Sequence, residues 1–391
     1  MPGRLADLWL MPHRPLFLAA GLWAIGASLW WRWGTPPASA FWHGHEMLAG
    51  FGGAALAGYL LTALASWTGR PAPAGRVLQA ILGCWLVQRL AMGCGDALPP
   101  VLAILPGLGF FGLMAAVMAH GMRHTGQGAR PGLVLAVAAM GLADALAILA
   151  ARTTGWHGPD GSALLELMLL GFALLIAGIG GRMVPAFTGN WLRASGRAVA
   201  APASAPRTGR LGLLSLGAAP VLMLAGADAA SGAALLLAAL AQLWRLAGWR
   251  GRHVLANPLL VMLHAAFLWL PLGLGLVGLQ RLGLIPLPAS DLLHALAMGA
   301  MGGMILAVAA RAAARRHKGQ LRAGPALCAA AMALWLAPWL RLAPALWPGA
   351  REGLLDAATL AWALGWALFV LALWPGLRGP AHQPVFSGSR A

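Results

Sequence analysis

The chain has 391 residues, of which 60% are apolar and only 9% charged, against about 25% charged in an average soluble domain. A soluble globule of this size cannot solvate its surface with so few charges, which excludes a cytosolic enzyme, a disordered chain and a secreted disulfide scaffold. The net charge of +17 comes from 26 Arg and one Lys against 10 acids. Most of these cations punctuate apolar runs, so they point to membrane topology and a lipid bilayer and not to nucleic acid. A spanning helix needs roughly 20 apolar residues. Twelve such segments are predicted in chain order, at about 15–33, 44–66, 76–95, 98–120, 131–151, 163–187, 211–227, 229–248, 257–280, 289–312, 322–342 and 353–375. The expected fold is an all-α polytopic membrane protein, one integral membrane domain over 1–391. The stretch 188–210, rich in Ala, Pro, Ser and Arg, is expected to be a flexible cytoplasmic linker between two groups of six helices.

Orientation follows from the cations. On the side of the two termini lie Arg4, Arg14, Arg70, Arg76, Arg123, Arg130, Arg193, Arg197, Arg207, Arg210, Arg245, Arg250, Arg252, Arg311, Arg315, Arg316, Lys318, Arg322, Arg378 and Arg390. The other side has Arg32, Arg152, Arg281, Arg341 and Arg351, while Arg89 and Arg182 lie inside segments. Twenty against five predicts cytoplasmic ends and an even number of crossings. Ala38-Ser39-Ala40 resembles a signal-peptide cleavage site, but the long run before it, with Trp at its outer end, favours an anchored helix that is retained. The expected location is a bacterial inner membrane.

Segments 2, 6 and 10 share a pattern. The second reads Glu46-Met47, Gly50-Phe51 and Gly58; the sixth Glu166, Met168, Gly171-Phe172 and Gly178; the tenth His294, Met298, Gly299, Gly302 and Gly303. Glycines at such spacing let helices or a flat cofactor approach closely. A threefold repeat of four helices makes a closed ring of arcs, similar to the catalytic subunit of haem-copper oxidases. The alternative is that Ala/Gly/Leu-rich helices align with anything.

Of eleven histidines, seven lie in tails, loops or helix ends. His43 and His45 open segment 2, His294 opens segment 10 and His264 lies inside segment 9. Polar groups inside a bilayer are expensive, which makes each a functional candidate, and imidazole is a common ligand of haem iron, copper and zinc. His43 and His45 point ~200° apart on a regular helix, so they chelate one ion only if the helix starts after His43. His45 and His294 lie at similar depth and could flank one flat ring. The alternative is that these histidines bond backbone carbonyls or one another at a helix mouth. Met47, Met298, Met301 and Met304 lie near them in sequence, and thioethers suit Cu(I), although packing is their commoner role. Glu46, Glu166 and Asp291 open their helices and could carry protons, Asp291 also being placed to orient His294 one turn on. Arg89 and Asp144 lie at matching depth in parallel segments, which predicts an ion pair. Arg182 and Arg311 lie near helix ends, where they could snorkel or clamp an anion such as a haem propionate. No Walker loop, GxGxxG before a helix, Ser-His-Asp series or HExxH is present in the sequence.

Five stretches carry a resemblance to the NnrS family of bacterial membrane proteins: His13-Arg14-Pro15-Leu16-Phe17-Leu18; Trp42-His43-Gly44-His45-Glu46-Met47-Leu48-Ala49-Gly50-Phe51; Gly58 to Arg70; Gly180-Gly181-Arg182-Met183-Val184-Pro185 to Asn190; and Leu293-His294-Ala295-Leu296 to Arg311. The stretch at Leu263-His264 is similar to the family as well, whereas Gly189 and Phe267 depart from it, where an Arg and a Tyr are usual. The resemblance implies twelve spans, haem b with copper as a second cofactor, and a role in nitric oxide metabolism and resistance to nitrosative stress. By motif it brings His43, His45, Glu46, Arg182, Asn190, His264, His294 and Arg311 into the site. The resulting expectation is a haem protein that reduces or detoxifies nitric oxide with quinol as electron donor, with Glu46 and Asp291 moving protons. A haem or nitric oxide binder without turnover, and a metal or small-molecule transporter, are the alternatives.

Overall fold

The computed structural model describes residues 5–35, 38–123, 131–196, 199–317 and 320–379. A helix stands at each of the twelve predicted segments. They are α1 His13–Trp33, α2 Ala40–Thr68, α3 Arg76–Gly93, α4 Val101–Arg123, α5 Pro131–Arg152 and α6 Gly161–Ala194. There follow α7 Pro206–Leu224, α8 Asp228–Ala247, α9 Pro258–Arg281, α10 Ala289–Ala313, α11 Pro325–Leu342 and α12 Arg351–Leu373. Among the described residues one small antiparallel hairpin interrupts the helices, β1 Arg315–His317 and β2 Gln320–Arg322, with Arg315 opposite Arg322. Arg322 therefore lies outside α11, which starts at Pro325, a residue suited to a first helical turn. The protein is an all-α membrane protein.

Nine of these helices are long and apolar enough to cross a bilayer, all but α1, α3 and α7. The three have physical reasons to fall short. α1 opens on His13-Arg14, α3 carries Arg76, Gln79, Gln88 and Arg89, and α7 carries Arg207, Arg210 and Ser215.

The helix ends are set by local chemistry. The Ser39 side chain accepts from the Trp42 amide at 3.0 Å, an N-cap that starts α2 four residues before the predicted boundary. Gly69 closes α2 in the left-handed region at φ 68°, which a glycine adopts without strain. Asp160 accepts from the Ala163 amide at 2.8 Å at the start of α6.

Three helices are not α-helical throughout. Among the described residues π-helical turns occur at Glu46–Gly52 in α2, Ile176–Gly180 in α6 and Ala295–Gly302 in α10. These are the three helices with the shared glycine pattern. The wider turn begins at Glu46 itself and one residue past His294, but ten residues past Glu166, so the registers of α2 and α10 agree and that of α6 does not. π turns direct backbone carbonyls away from ideal partners, and neighbouring side chains take them up. Trp85 Nε1 donates to Gly50 O at 2.9 Å in α2, and Arg245 donates to Ala177 O at 3.1 Å in α6.

The described chain divides into two compact units, 5–171 with 373–379, and 172–372. The division falls at Gly171/Phe172, inside α6, and not in the expected linker. α6 continues through Ala194, and Ala203 donates its amide to Gly248 O at 2.9 Å, so part of 188–210 is helical and part is pinned. In the first unit α1 packs on α2, α3 on α4, and α4 on both α2 and α5. The ends of this unit are fastened together: Arg14 Nη1 donates to Asp7 O at 2.7 Å and to Gly379 O at 3.1 Å, and the Gly379 amide donates to Asp7 Oδ2 at 2.9 Å. In the second unit α8 lies between α7 and α9, and α10 packs on α9 and α11. Burial separates interior from lipid-facing helices: 89% of the most apolar stretch of α2 is buried, against 28% for the 325–345 stretch.

Candidate functional site

In the first unit the sequence-predicted residues of α2 meet a buried polar cluster. His45, Glu46, Gln88, Arg89 and Asp144 are each at most 2% exposed. His45 Nδ1 is 2.9 Å from Glu46 Oε1, and its Nε2 is 2.8 Å from Asp144 Oδ1 in an ion-pair contact off the line of an ideal hydrogen bond. Glu46 Oε2 accepts from Arg89 Nη1 at 2.9 Å and from Trp23 Nε1 at 2.7 Å. Asp144 Oδ2 accepts from Gln88 Nε2 at 2.6 Å, and the Gln88 carbonyl accepts from Arg89. Arg89 and Asp144 thus share a cluster as their depth implied, but Arg89 pairs with Glu46, while Asp144 is reached through Gln88 and His45.

A neutral imidazole carries one N–H. Carboxylate oxygens on both sides of His45 therefore require a second proton, on the ring or on a carboxyl. With that proton His45, Arg89, Glu46 and Asp144 sum to zero charge, the condition under which ionisable groups tolerate a low-dielectric interior. The cluster is closely fitted. A Cβ on Gly50 would lie 2.6 Å from both Arg89 Nη1 and Trp23 Nε1, and one on Gly107 would collide with the Gln88 amide and Asp144. Gly107→Ala is expected to lower stability by about 1–3 kcal/mol through overpacking, read as a lower thermal midpoint in detergent; a wild-type midpoint would show that the cluster has slack.

His43 goes elsewhere. Because the Ser39 cap starts α2 early, His43 is already helical and turns away from His45, stacking on Trp31 with centroids 4.7 Å apart. The two histidines do not face one ion.

In the second unit His294 Nδ1 is 2.7 Å from the Ser290 carbonyl one turn earlier. A carbonyl only accepts, so Nδ1 carries the proton and the ring lone pair sits on Nε2, the arrangement of a ligating histidine. Asp291 does not orient this ring. It is drawn to two guanidiniums instead, Arg341 at 2.9 Å and Arg351 at 3.4 Å. His264 Nε2 lies 2.9 Å from Thr188 Oγ1, whose hydroxyl donates to Val184 O at 2.9 Å. The hydroxyl thus accepts from Nε2–H, leaving the His264 lone pair on Nδ1. A Cβ at Gly251 would lie 3.0 Å from that nitrogen, so residue 251 is kept small beside it. Trp249 meets His264 edge-on and packs on Phe267 with centroids 4.6 Å apart.

The arginines divide. Arg182 is exposed and donates Nε to Gly178 O on its own helix at 3.0 Å. The Arg311 guanidinium lies 3.9 Å over the Phe187 ring. His294 and Arg311 are separated by about 25 Å along α10 at 1.5 Å per residue, so Arg311 does not serve a group held by His294. Arg245, counted from sequence as a loop cation, is buried instead and clasps the π turn of α6. It donates to Ala177 O at 3.1 Å, Gly181 O at 2.7 Å and Gln242 Oε1 at 2.7 Å.

Among the described residues no group of three His, Cys, Asp or Glu is arranged to hold a metal ion. The donor chemistry of His294 fits single axial ligation of haem iron, and His264 fits a single nitrogen ligand. His45, with a carboxylate oxygen at each nitrogen, does not.

Apolar helices, a buried charge-balanced cluster and histidines at π-helical mouths define a polytopic membrane protein with a built polar interior. The chain belongs to the NnrS family, whose description is NnrS protein and which matches residues 7–380. Membership points to a membrane protein in nitric-oxide-related processes. A comparison with curated proteins finds no match.

Proposed function

We propose that the protein binds haem b in the second unit through His294 and acts on nitric oxide there, in nitric oxide metabolism and resistance to nitrosative stress. The observation that carries this reading is the Nδ1 contact to the Ser290 carbonyl at 2.7 Å, which sets the ring for ligation through Nε2. Bound haem supplies an iron with an axial position for nitric oxide. The reaction, where it turns over, takes two nitric oxide molecules, two electrons and two protons to nitrous oxide and water, and one quinol provides those electrons and protons. Copper is proposed as a second cofactor, with His264 as one ligand. The charge distribution supports both ends in the cytoplasm of a bacterial inner membrane and twelve crossings. The presence of π turns in the three helices that share the glycine pattern, in register in α2 and α10, supports three four-helix arcs.

The test is a reduced-minus-oxidised optical spectrum of purified protein, with and without nitric oxide, beside His294→Ala. The expected result is a haem b spectrum that nitric oxide shifts and that His294→Ala abolishes. A colourless wild type from haem-replete cells would overturn the reading and favour transport. A six-coordinate haem that ignores nitric oxide would leave a haem binder or electron carrier.

A further inference from the structure

We infer that His45 is the centre of a charge-balanced polar lock that fixes α2 to α1, α3 and α5, and that it ligates neither haem nor metal, although it stands in the most histidine-rich motif of the chain. A ligating imidazole presents an in-plane lone pair about 2 Å from the metal. At His45 Nδ1 meets Glu46 Oε1 at 2.9 Å, and Asp144 Oδ1 stands 2.8 Å from Nε2, off the line of a hydrogen bond but inside the space that a haem ring at that nitrogen would fill. Neither carboxylate is spare. Glu46 Oε2 already serves Arg89 and Trp23, and Asp144 Oδ2 serves Gln88. Moving Asp144 aside to admit a metal would strand the Gln88 amide and leave a carboxylate unpaired in a dry interior, a larger cost than a ligand bond to one histidine offsets. The ring is met by Glu46 and Phe41 on α2, the latter with its centroid 6.1 Å away, and by Asp144 on α5; behind the two carboxylates stand Trp23 on α1 and Gln88 and Arg89 on α3. The set balances in charge, and the hydrogen bonds of Glu46, Gln88 and Arg89 join α1, α2, α3 and α5, with His45 Nε2 and Asp144 Oδ1 held by their ion-pair contact alone.

The inference stands apart from the haem reading, and the two fail separately. Full-length His45→Gln, Asp144→Asn and the paired variant are purified from haem-replete, copper-supplemented cells. Haem, iron and copper per chain and the unfolding temperature are measured for each. The expected result is a loss of roughly 5–10 °C for each single variant, a paired loss well short of the sum, and unchanged haem and metal per folded chain. Loss of haem or metal in His45→Gln while Asp144→Asn keeps it would overturn the inference. Should the variants fail to fold, wild-type protein carries the test. Diethyl pyrocarbonate modifies accessible imidazoles, so the peptide holding His45 is mapped by mass spectrometry before and after copper chelation, and in protein from haem-starved cells. His45 is expected to stay unmodified throughout. Reactivity that appears only when haem or copper is absent would make it a ligand. A wild type with neither haem nor metal would sink the proposed function, while the thermal coupling between His45 and Asp144 would still decide the lock.

Discussion

Arg89→Met is expected to cost about 3–5 kcal/mol, the usual penalty for stripping one partner from a buried ion pair. The Arg89 side chain is 1% exposed and Glu46 0%, with 2.9 Å between Nη1 and Oε2. Once the guanidinium is gone, the Glu46 carboxylate keeps Trp23 and His45 as neighbours but the cluster carries a net negative charge. Gln88 also loses the donor to its carbonyl. The paired variant Arg89→Met, Glu46→Gln removes both charges and is expected to recover most of the loss, because a buried pair contributes less than the damage done by halving it. Arg89→Lys keeps the charge and loses the fork that reaches Glu46 and Gln88 together, so it should fall between. Thermal unfolding of the variants in one detergent decides the point. Equal destabilisation of the single and paired variants would mean that Arg89 matters for its bulk and not for its charge.

The second large effect is expected at Arg245. Its guanidinium donates to Ala177 O, Gly181 O and Gln242 Oε1, and the residue is 9% exposed. Hydrogen bonds from a charged donor contribute about 1.5–3 kcal/mol each, with incomplete additivity, so Arg245→Ala is expected to lose roughly 3–5 kcal/mol. The loss should be local. The carbonyls it leaves belong to the π turn Ile176–Gly180 and its continuation, so amide hydrogen exchange over 176–186 is expected to rise by at least about 100-fold. Uniform acceleration across the second unit would show a general packing role instead. Gly181 makes the arrangement specific, since a side chain there would occupy the space of the guanidinium.

The helices were legible because long apolar runs in a charge-poor chain leave few other structures; boundaries drifted where a cap such as Ser39 or a proline such as Pro325 sets the start, and at the polar end of α6, which runs on to Ala194. The site was legible in part. His45, Glu46, Arg89 and Asp144 stood out as polar residues in apolar segments, and depth alone placed Arg89 with Asp144. Depth does not give azimuth, so the actual pairings, Arg89 to Glu46 and Asp144 to His45, were hidden. Trp23 and Gln88 were missed because an indole and an amide in an apolar run look like filler, although each carries a donor that a membrane interior must satisfy. Arg245 was misread because charge counting assigns an arginine at a helix end to the loop, whereas this one turns inward to backbone carbonyls. The π turns have no signature in apolar periodicity. The shared glycine pattern marked their helices, but the offset in α6 was not readable from it.

The clasp between Asp7, Arg14 and Gly379 has a consequence for biogenesis. The first unit is assembled from both ends of the chain, with the whole second unit synthesised in between. At about 5–20 residues per second the intervening ~200 residues take on the order of 10–40 s to leave the ribosome. During that interval Arg14 and Asp7 are joined to each other but lack their contacts to Gly379. A chain that stops short of Gly379 never makes these two contacts, so the first unit reaches its final form only after the second has been synthesised.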